Sequence, residues 1–474
     1  MLIRNAELEG GQRADVRIAG ARISAIGQLR PEPGECCIAA GGRLLLPGLH
    51  DHHIHLPALA ASHASIPCGP PIVTNDVDLV SALAIAGDGW VRGIGYHESV
   101  AGMLDAAMLD RMAPDRPVRI QHRGGRMWFL NSMALDHLLA RRAAPPGLEQ
   151  VGGRFTGRLF DDDAWLTEAL ASAPPSLAAV GALLARRGVT GLTEMTPRND
   201  GAMAAFYAAE QARGALPQGL LVAGRPSLRE SDMGVHMRRG PVKLHLHEAA
   251  LPTFDDLVAQ IGAAHEEGRG VAVHCVTEVE LVFTLAAIGT AGAHPGDRIE
   301  HAGVAPDESV DEIARLGLAV VSQPHFISER GDAYLADTEP RQHPLLYRLR
   351  AFRAAGVALA AGSDAPFGRP DPWASMAAAV SRRTRDGQII GAEEALSAEE
   401  ALDLYLRDPV DLRARRCVSP GAVADLCLID RDWAAARRNL AGVNALATFV
   451  QGVMIFDAID QAPTERRLRV NASA

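Results

Sequence analysis

Lysine is almost absent from this chain of 474 residues: Lys243 is the only one, and the other 46 basic residues are arginines. A coding bias toward arginine explains the 46, but it does not explain where the exception stands. Lys243 lies in the apolar segment 241–246, which has the pattern of a buried strand. A lysine in that place is a candidate for chemistry that arginine cannot perform.

Long apolar runs and a cysteine framework are also missing. No stretch of 18 residues is apolar throughout, so we expect no helix that spans a bilayer. The segment 1–8 has no basic region followed by an apolar stretch, which predicts no signal peptide. The six cysteines match neither a zinc knuckle nor a disulfide framework. Together these absences favour a cytoplasmic protein.

Positive charge is in deficit, with a formal net charge of −10. This balance argues against nucleic acid or an anionic membrane as the main partner. With 48% hydrophobic and 22% charged residues, the composition is typical of a globular protein. We therefore expect a small-molecule substrate, and the sequence leaves a homo-oligomer open.

The length exceeds what one ordinary core can hold, so we expect more than one domain. Residues 1–47 and 412–474 contain short strand patterns broken by glycine and proline, and we expect these two ends to form one small β-sandwich domain. Between them, 48–411 alternates short apolar strands with alanine-rich helices.

The alternation in the middle of the chain predicts a parallel sheet. With the strand before His53, the count of strands reaches eight, which is the number that closes a (β/α)8 TIM barrel. Residues 60–185 do not follow the alternation and are interpreted as an insertion between barrel strands one and two. The other strand candidates are 190–195, 219–224, 241–246, 271–275, 297–301, 318–322 and 357–362.

The sharpest local feature is the histidine-rich segment 50–55. On a strand, residues two apart face the same way, so His53 and His55 would both point into the barrel. Two imidazoles on one face make half of a site for zinc or a similar ion. Taken alone, such a pair is also compatible with a surface histidine cluster.

Further candidate ligands stand at the ends of later strands. His274 ends an apolar run, His301 ends the next strand, and Asp364 follows the last one. Each residue taken alone also has a purely structural explanation. His274 could be a hydrogen-bonded core histidine, His301 could support another ligand, and Asp364 could cap the next helix. In a parallel barrel, however, all these positions meet at the carboxyl end of the strands, which favours a shared metal site.

Lys243 fits the same site. A shielded neutral amine reacts with CO2 to form a carbamate, whose two oxygens can bridge two metal ions. Arginine stays protonated and cannot replace it. Chance placement of a single lysine is the alternative explanation.

Several segments of the chain match a known family in a fixed order. They are 47–56 (PGLHDHHIHL), 241–244 (PVKL), 271–274 (VAVH), 298–302 (RIEHA), 321–326 (VSQPHF), 362–366 (GSDAP), 131–135 (NSMAL), 396–401 (LSAEEA) and 421–426 (GAVADL). On these motifs the sequence resembles the amidohydrolase superfamily, and most closely its amidohydrolase-3 branch, which includes N-substituted formamide deformylases.

The resemblance implies a metal-dependent hydrolase that cleaves a C–N bond of the amide type through a hydroxide that bridges two divalent ions, most naturally zinc. It assigns His53, His55 and Asp364 to one ion, His274 and His301 to the other, and carboxylated Lys243 to the bridge. It also assigns to Asp364 the catalytic proton transfer to the leaving group.

Two features depart from the branch. Arg126 stands where a histidine is usual, and an arginine facing the pocket would suit an anionic substrate, while a solvated surface charge is the equal alternative. The loop after the strand of Lys243 is short, since 245–250 leads almost directly into a helix. Four further residues are predicted to contact substrate because they stand at or near strand ends: Glu194, Arg225, His245 and His325.

Two other functions stay open. A heterocycle deaminase of the same superfamily would need a glutamate three residues after His274, where Thr277 stands, with Glu278 one residue further. The barrel could also be non-catalytic, as a structural or interaction module. The metal content of the purified protein would separate these functions. Two ions per chain would favour the hydrolase, one ion the deaminase, and the absence of any ion the structural role.

Overall fold

The computed structural model describes residues 1–84, 89–170 and 174–459. Its central element is a sheet of eight parallel strands in which neighbours in the chain are neighbours in space. This order confirms the predicted barrel. The strands are β1 (Leu49–Ile54), β2 (Val189–Glu194), β3 (Gly219–Gly224), β4 (Met237–His245), β5 (Val271–Cys275), β6 (Arg298–His301), β7 (Ala319–Ser322) and β8 (Ala358–Ala361).

Helices connect these strands, as the alternating pattern requires. Some of them begin at a side-chain cap: Thr277, for example, forms a reciprocal capping box with Glu280. No helix in the described ranges is long and apolar enough to cross a membrane. The helices of this part of the chain are Ala178–Ala185, Gly201–Ala212, Phe254–Glu266, Glu278–Ala291, Asp307–Leu316, Phe326–Asp337, Leu349–Ala354, Pro372–Ser381 and Ala398–Asp403.

The barrel closes where β8 meets β1. The amide of Asp364 donates to the carbonyl oxygen of His53 at 2.7 Å, and the amide of His55 donates to that of Ala365 at 2.9 Å. Gly362 permits this approach, because a Cβ at that position would lie 2.3 Å from the backbone nitrogen of His53. The closure therefore joins the two segments that carry His53, His55 and Asp364.

Two element boundaries differ from the sequence-based expectation. Strand β4 begins at Met237 rather than at 241, because the register shifts between β3 and β4 and the strand continues through Pro241. The helix expected over 344–355 is divided into a 3-10 turn, Pro340–Leu345, and the helix Leu349–Ala354. Tyr347, between them, has a φ of 48°, which is incompatible with a continuous α-helix.

The two ends of the chain form two four-stranded sheets. One apolar cluster contains residues of both, including Val16 and Ile23 from the first and Leu428 and Phe449 from the second. Residues 460–474 of the predicted β-domain lie outside the described residues. The strands are Leu2–Glu7, Arg13–Ala19, Arg22–Gly27 and Cys37–Ala39 in the first sheet, and Leu45–Pro47, Leu426–Ile429, Ala445–Val450 and Val453–Asp457 in the second, with one short helix, Trp433–Ala436.

Residues 57–176 form a compact unit of their own, which overlaps most of the expected insertion 60–185 but begins three residues earlier and ends nine residues earlier. It contains a six-stranded sheet and its own apolar clusters. Residues 85–88 and 171–173 of that region lie outside the described residues. The strands are Ile66–Pro67, Val91–Tyr96, Val118–His122, Met127–Leu130, Leu148–Val151 and Arg154–Phe160. The helices of this part of the chain are Leu56–His63, Asp76–Leu83, Ala106–Met112, Ser132–Leu139 and Asp163–Leu170.

Replacing Gly362 with alanine should lower the free energy of unfolding by about 1–3 kcal/mol or more, because the new methyl group meets the backbone of His53 and has no room to move. Urea denaturation of wild type and variant measures the change. Gly262→Ala is the matched control: Gly262 lies within the helix Phe254–Glu266 with no atom within 4 Å of its would-be Cβ, so this change should stabilise by roughly 0.5–1 kcal/mol. Equal effects of the two changes would show that the closure is not tightly packed.

Candidate metal centre

Three candidate ligands converge at the carboxyl end of the barrel. The Nε2 atoms of His53 and His55 lie 3.4 Å and 3.1 Å from Oδ1 of Asp364. One ligand atom from each residue falls within 4.8 Å of the others, which is compact enough for a single ion. Two imidazole nitrogens and one carboxylate oxygen form a donor set suited to zinc.

The two other predicted histidine ligands lie against this group. The ring centroids of His53 and His301 are 4.8 Å apart, and those of His301 and His274 are 4.5 Å apart. The site therefore brings together all five predicted side chains other than Lys243. These come from strands β1, β5 and β6 and from the segments directly after β1 and β8.

Lys243 completes the cluster from strand β4. Its side chain is buried, and its Nζ atom has no hydrogen-bond partner in the described chain. Burial lowers the pKa of Lys243 from its ordinary value. Burial is the main cause that lowers the pKa of His53 and of His274, and the positive charge of Lys243 lowers both further. The amine therefore lies near both imidazoles.

Backbone conformation directs two of these ligands into the site. Arg298 and Glu300 share one face of β6, so regular alternation would turn His301 to the other face. His301 instead has a φ of 72°, which ends the extended conformation and redirects the side chain. Asp364 likewise has a φ of 51°. Such left-handed residues are uncommon and often mark functional sites.

Glu300 is a residue of this site that sequence reasoning did not single out. Its Oε2 accepts a hydrogen bond from Nδ1 of His53 at 2.5 Å, which leaves Nε2 of that ring free to coordinate an ion. Burial alone would raise the pKa of Glu300, but Arg298 and His53 hold it well below its ordinary value. Arg298 also donates to the carbonyl of His52 at 2.7 Å, which ties β6 to β1.

Gln323 orients the ring of His301 in the same way, and Asp51 holds the backbone next to the candidate ligands. The Oε1 atom of Gln323 accepts from Nδ1 of His301 at 2.7 Å and so leaves its Nε2 free. Oδ1 of Asp51 accepts from the amides of Ser363 at 2.8 Å and His53 at 3.2 Å. Burial raises the pKa of Asp51 to about 6. The only sequence signals for such supports were the places of Glu300 next to His301 and of Asp51 two residues before His53.

The proposed catalytic carboxylate is held in its ionised form. Burial works against ionisation of Asp364, but the hydrogen bond from His55 and the positive potential of His53 and His301 outweigh it, so its pKa lies below the ordinary range. Asp364 is therefore an anion at neutral pH, as a ligand of a cation must be.

Two of the predicted substrate contacts, Glu194 and His325, lie inside the protein. Glu194 accepts hydrogen bonds from the amides of Leu56 at 2.6 Å and Thr196 at 2.8 Å. The ring of His325 is bonded through one nitrogen to the hydroxyl of Ser375 at 3.1 Å and through the other to the carbonyl of Ser363 at 3.0 Å. Both side chains thus brace segments next to the ligands, and their contact with substrate stays a prediction.

The remaining three predicted contacts are more accessible. His245 stacks on His274 with ring centroids 4.4 Å apart, at the edge of the ligand cluster. Arg225 is exposed after β3. Arg126, in the unit 57–176, is 72% exposed and donates through two nitrogens to Asp161.

A groove of about 940 Å³ opens beside the ends of β5 and β6. It includes Val276 and Gly303, each two residues after a predicted ligand, and Tyr347. The rings of Tyr347 and Phe326 are in edge contact, and Phe326 in turn contacts His325. The volume is in the range of sites for small molecules.

The chain matches a known protein family over most of its length. The amidohydrolase family profile, of the amidohydrolase-3 branch, matches residues 37–456. The chain therefore belongs to the amidohydrolase family, and it is an enzyme of that metal-dependent hydrolase class.

Individual relatives cover almost the whole chain. It is 25% identical to the N-substituted formamide deformylase of Arthrobacter pascens, over 96% of this chain and 97% of that protein. It is 24% identical to the putative amidohydrolase YtcJ of Bacillus subtilis, over 90% and 91% of the two chains. An uncharacterised metal-dependent hydrolase from Pyrococcus horikoshii has the same fold, with a TM-score of 0.74, 19% identity, and coverage of 91% and 96%.

Changing Glu300 to glutamine should weaken zinc binding by about 10–100-fold, because the amide removes the negative charge that orients and polarises His53. Zinc retained after dialysis against graded chelator, measured by elemental analysis, tests this. Glu312→Gln is the control, since Glu312 pairs only with Arg315 on the outer helix Asp307–Leu316. Unchanged zinc retention in Glu300→Gln would contradict the assigned role.

His325 should make the metal-free protein sensitive to acid. Burial lowers the pKa of His325 to about 4, against an ordinary value of 6.5 in the unfolded chain. The neutral, buried ring therefore makes its full contribution to the free energy of unfolding above about pH 6.5. As the pH falls toward 4, roughly 3 kcal/mol of that free energy is lost.

Urea unfolding at pH 7 and pH 4.5 measures this loss, and His325→Gln should reduce it. The exposed His63, changed to glutamine, serves as control. The same pH dependence in His325→Gln as in wild type would refute the assignment.

Proposed function

We propose that this amidohydrolase cleaves the C–N bond of a small-molecule amide with the help of two divalent ions, zinc being the best match to the donors. The observation that carries this proposal is the buried amine of Lys243, which has no partner in the described chain although it lies among imidazoles and carboxylates. An unpaired amine is costly to bury. Carboxylation by CO2 would convert it into an anion with two metal-binding oxygens.

The residues present fit a centre of two ions. His53, His55 and Asp364 would hold one ion, and His274 and His301 would hold the other. Carboxylated Lys243 would connect the two. When bound, such ions polarise a carbonyl and lower the pKa of a coordinated water toward neutrality.

The side chains of the site then have separate tasks. Asp364, ionised and hydrogen-bonded to His55, is placed to accept a proton from the attacking water and to deliver it to the leaving nitrogen. Glu300 and Gln323 hold the rings of His53 and His301 in the tautomer with a free Nε2. Asp364 is the catalytic residue of the chain, and Glu300 and Gln323 are positioning residues.

The activities for which related proteins are named support a C–N bond as the bond that this chain cleaves. The relative from Arthrobacter pascens is a formamide deformylase. A solved structure of the same fold is the N-isopropylammelide isopropylaminohydrolase of Burkholderia multivorans, with a TM-score of 0.55 and 18% identity. The groove beside β5 and β6 offers the space that a small molecule needs.

The deaminase alternative is less well supported. Thr277, at the position where that chemistry needs a glutamate, caps the helix Glu278–Ala291 through its hydroxyl. Glu280 accepts from the amides of Val276 and Thr277, so its carboxylate is used in the same cap. These contacts leave Asp364 as the acid that best suits proton transfer.

Replacing Lys243 with alanine should reduce kcat by at least about 100-fold and lower the zinc content from two equivalents toward one, because the bridging anion is lost. Short carboxylic acids such as acetate or propionate should restore part of the activity by filling the space of the carbamate. The readouts are zinc analysis and turnover of a panel of formamides, N-acyl amino acids, cyclic amides and esters.

Arg238→Ala, a change of an exposed residue on the same strand, is the control and should leave both readouts unchanged. Full activity in Lys243→Ala would eliminate the bridging role. One equivalent of zinc in the wild type, with turnover of aminated heterocycles, would favour the deaminase instead.

A further inference from the structure

We infer that Arg330 is the residue that recognises a carboxylate group of the substrate, so that the preferred substrates are anionic amides. This inference rests on the proposed function and adds the substrate class to it. It follows from the contacts of one guanidinium group that is bonded to the turn after β8.

Arg330 lies on the helix Phe326–Asp337, which follows β7. Its guanidinium group stands 4.0 Å above the ring of Phe326, and its Nη2 donates to the carbonyl oxygen of Phe367. The residue is half-buried. The stacking and the hydrogen bond fix the plane of the guanidinium group, so little side-chain freedom would be lost on binding.

Arg330 forms no ion pair with a carboxylate of the described chain, although its charge acts on the neighbouring Glu329. No acidic oxygen of the described chain lies within 4.0 Å of it, and its Nε and Nη1 make no hydrogen bond there. Of its neighbours in the chain, Glu329 accepts from the amide of Arg369 at 3.3 Å through Oε1, and Asp332 accepts from the amide of Asp386 at 3.2 Å through Oδ2. A half-buried, unpaired guanidinium group suits a ligand carboxylate, which it can bind through two parallel hydrogen bonds.

Arg330 is also close to the reacting centre. Phe367, to which it is bonded, has its ring 5.8 Å from that of His55, in edge contact. The amide of Phe367 donates to the carbonyl of Asp364 at 2.8 Å, so both belong to one tight turn. Arg330 is therefore bonded to the turn that carries Asp364, and a carboxylate held by Arg330 would be tied to the metal centre through that turn.

Arg126, the arginine first considered for an anionic substrate, offers no such free group. Its Nε and Nη2 both donate to the carboxylate of Asp161, and the pair is exposed to water. Its charge is thus already compensated, whereas that of Arg330 is not.

The test compares substrates that differ only in charge: N-formyl and N-acetyl derivatives of an apolar amino acid, each against its neutral carboxamide. In Arg330→Gln, kcat/KM for the carboxylates should fall about 10–100-fold, mainly through KM, since a charged hydrogen bond is lost. The neutral carboxamides should change less than about twofold. Arg330→Lys should lie between, because it keeps the charge but not the planar fork.

Arg369→Gln is the matched control. Arg369 lies two residues after Phe367, its side chain is 75% exposed, and its guanidinium group faces Glu329 at 4.0 Å. It removes the same charge, so it should leave the preference for the carboxylate within about twofold of wild type. Equal losses on charged and neutral substrates in Arg330→Gln would overturn the inference, because Arg330 would then only brace the turn of Asp364.

Calorimetric binding of N-acetylphenylalanine separates this inference from the proposed function. If the zinc-loaded wild type binds this anion, and Arg330→Gln binds it at least tenfold more weakly, the assignment of Arg330 holds even when no amide is turned over. In that case the proposed function fails by itself. Equal affinity in both proteins, or no binding to either, overturns the assignment.

Discussion

The hydrogen bond from the amide of Asp364 to the carbonyl of His53 joins the last barrel strand to the first, and the metal centre depends on it. Ser363 and Asp51, which meet beside it, are 312 positions apart in the chain. Because the ligands stand on both sides of this closure, the same contacts that complete the barrel also assemble the centre. The absence of a side chain at Gly362 is the local condition for it.

A second constraint is the buried charge beneath the ligands. Arg298 and Glu300 form an ion pair with almost no access to water, and Glu300 also accepts a hydrogen bond from His53. Such a pair contributes little net stability, since desolvation offsets the attraction between the charges. Its value lies in holding one imidazole in a defined orientation and tautomer. The barrel therefore keeps polar groups in its interior where an apolar layer would pack more simply.

The candidate ligands and the residues proposed to select the substrate lie on different parts of this barrel. The ligands stand on strands or directly after them, where the backbone is held on both sides. Arg330, the groove beside β5 and β6, and the turn 364–367 belong to the connections that follow the strands. Connections of this kind vary more readily than the strands do, so related barrels can share the metal chemistry and differ in what they bind.

The sequence by itself determined the barrel, its eight strands and the family, because strand periodicity and the order of ligand motifs are local properties of the chain. It also pointed to His53, His55, Lys243, His274, His301 and Asp364, since parallel strands must end at the same side of a barrel. It did not point to Glu300, Gln323 or Arg330.

The roles of those three residues depend on their contacts, and their partners belong to distant segments of the chain. Glu300 meets His53 only after the closure of the barrel sets the register, and Arg330 meets Phe367 only across two connections. Strand alternation would also have placed His301 on the wrong side, and a left-handed backbone conformation decides otherwise. The tertiary structure thus decided which side chains orient the ligands and which cation lies free beside them, because such contacts depend on spatial register rather than on local pattern.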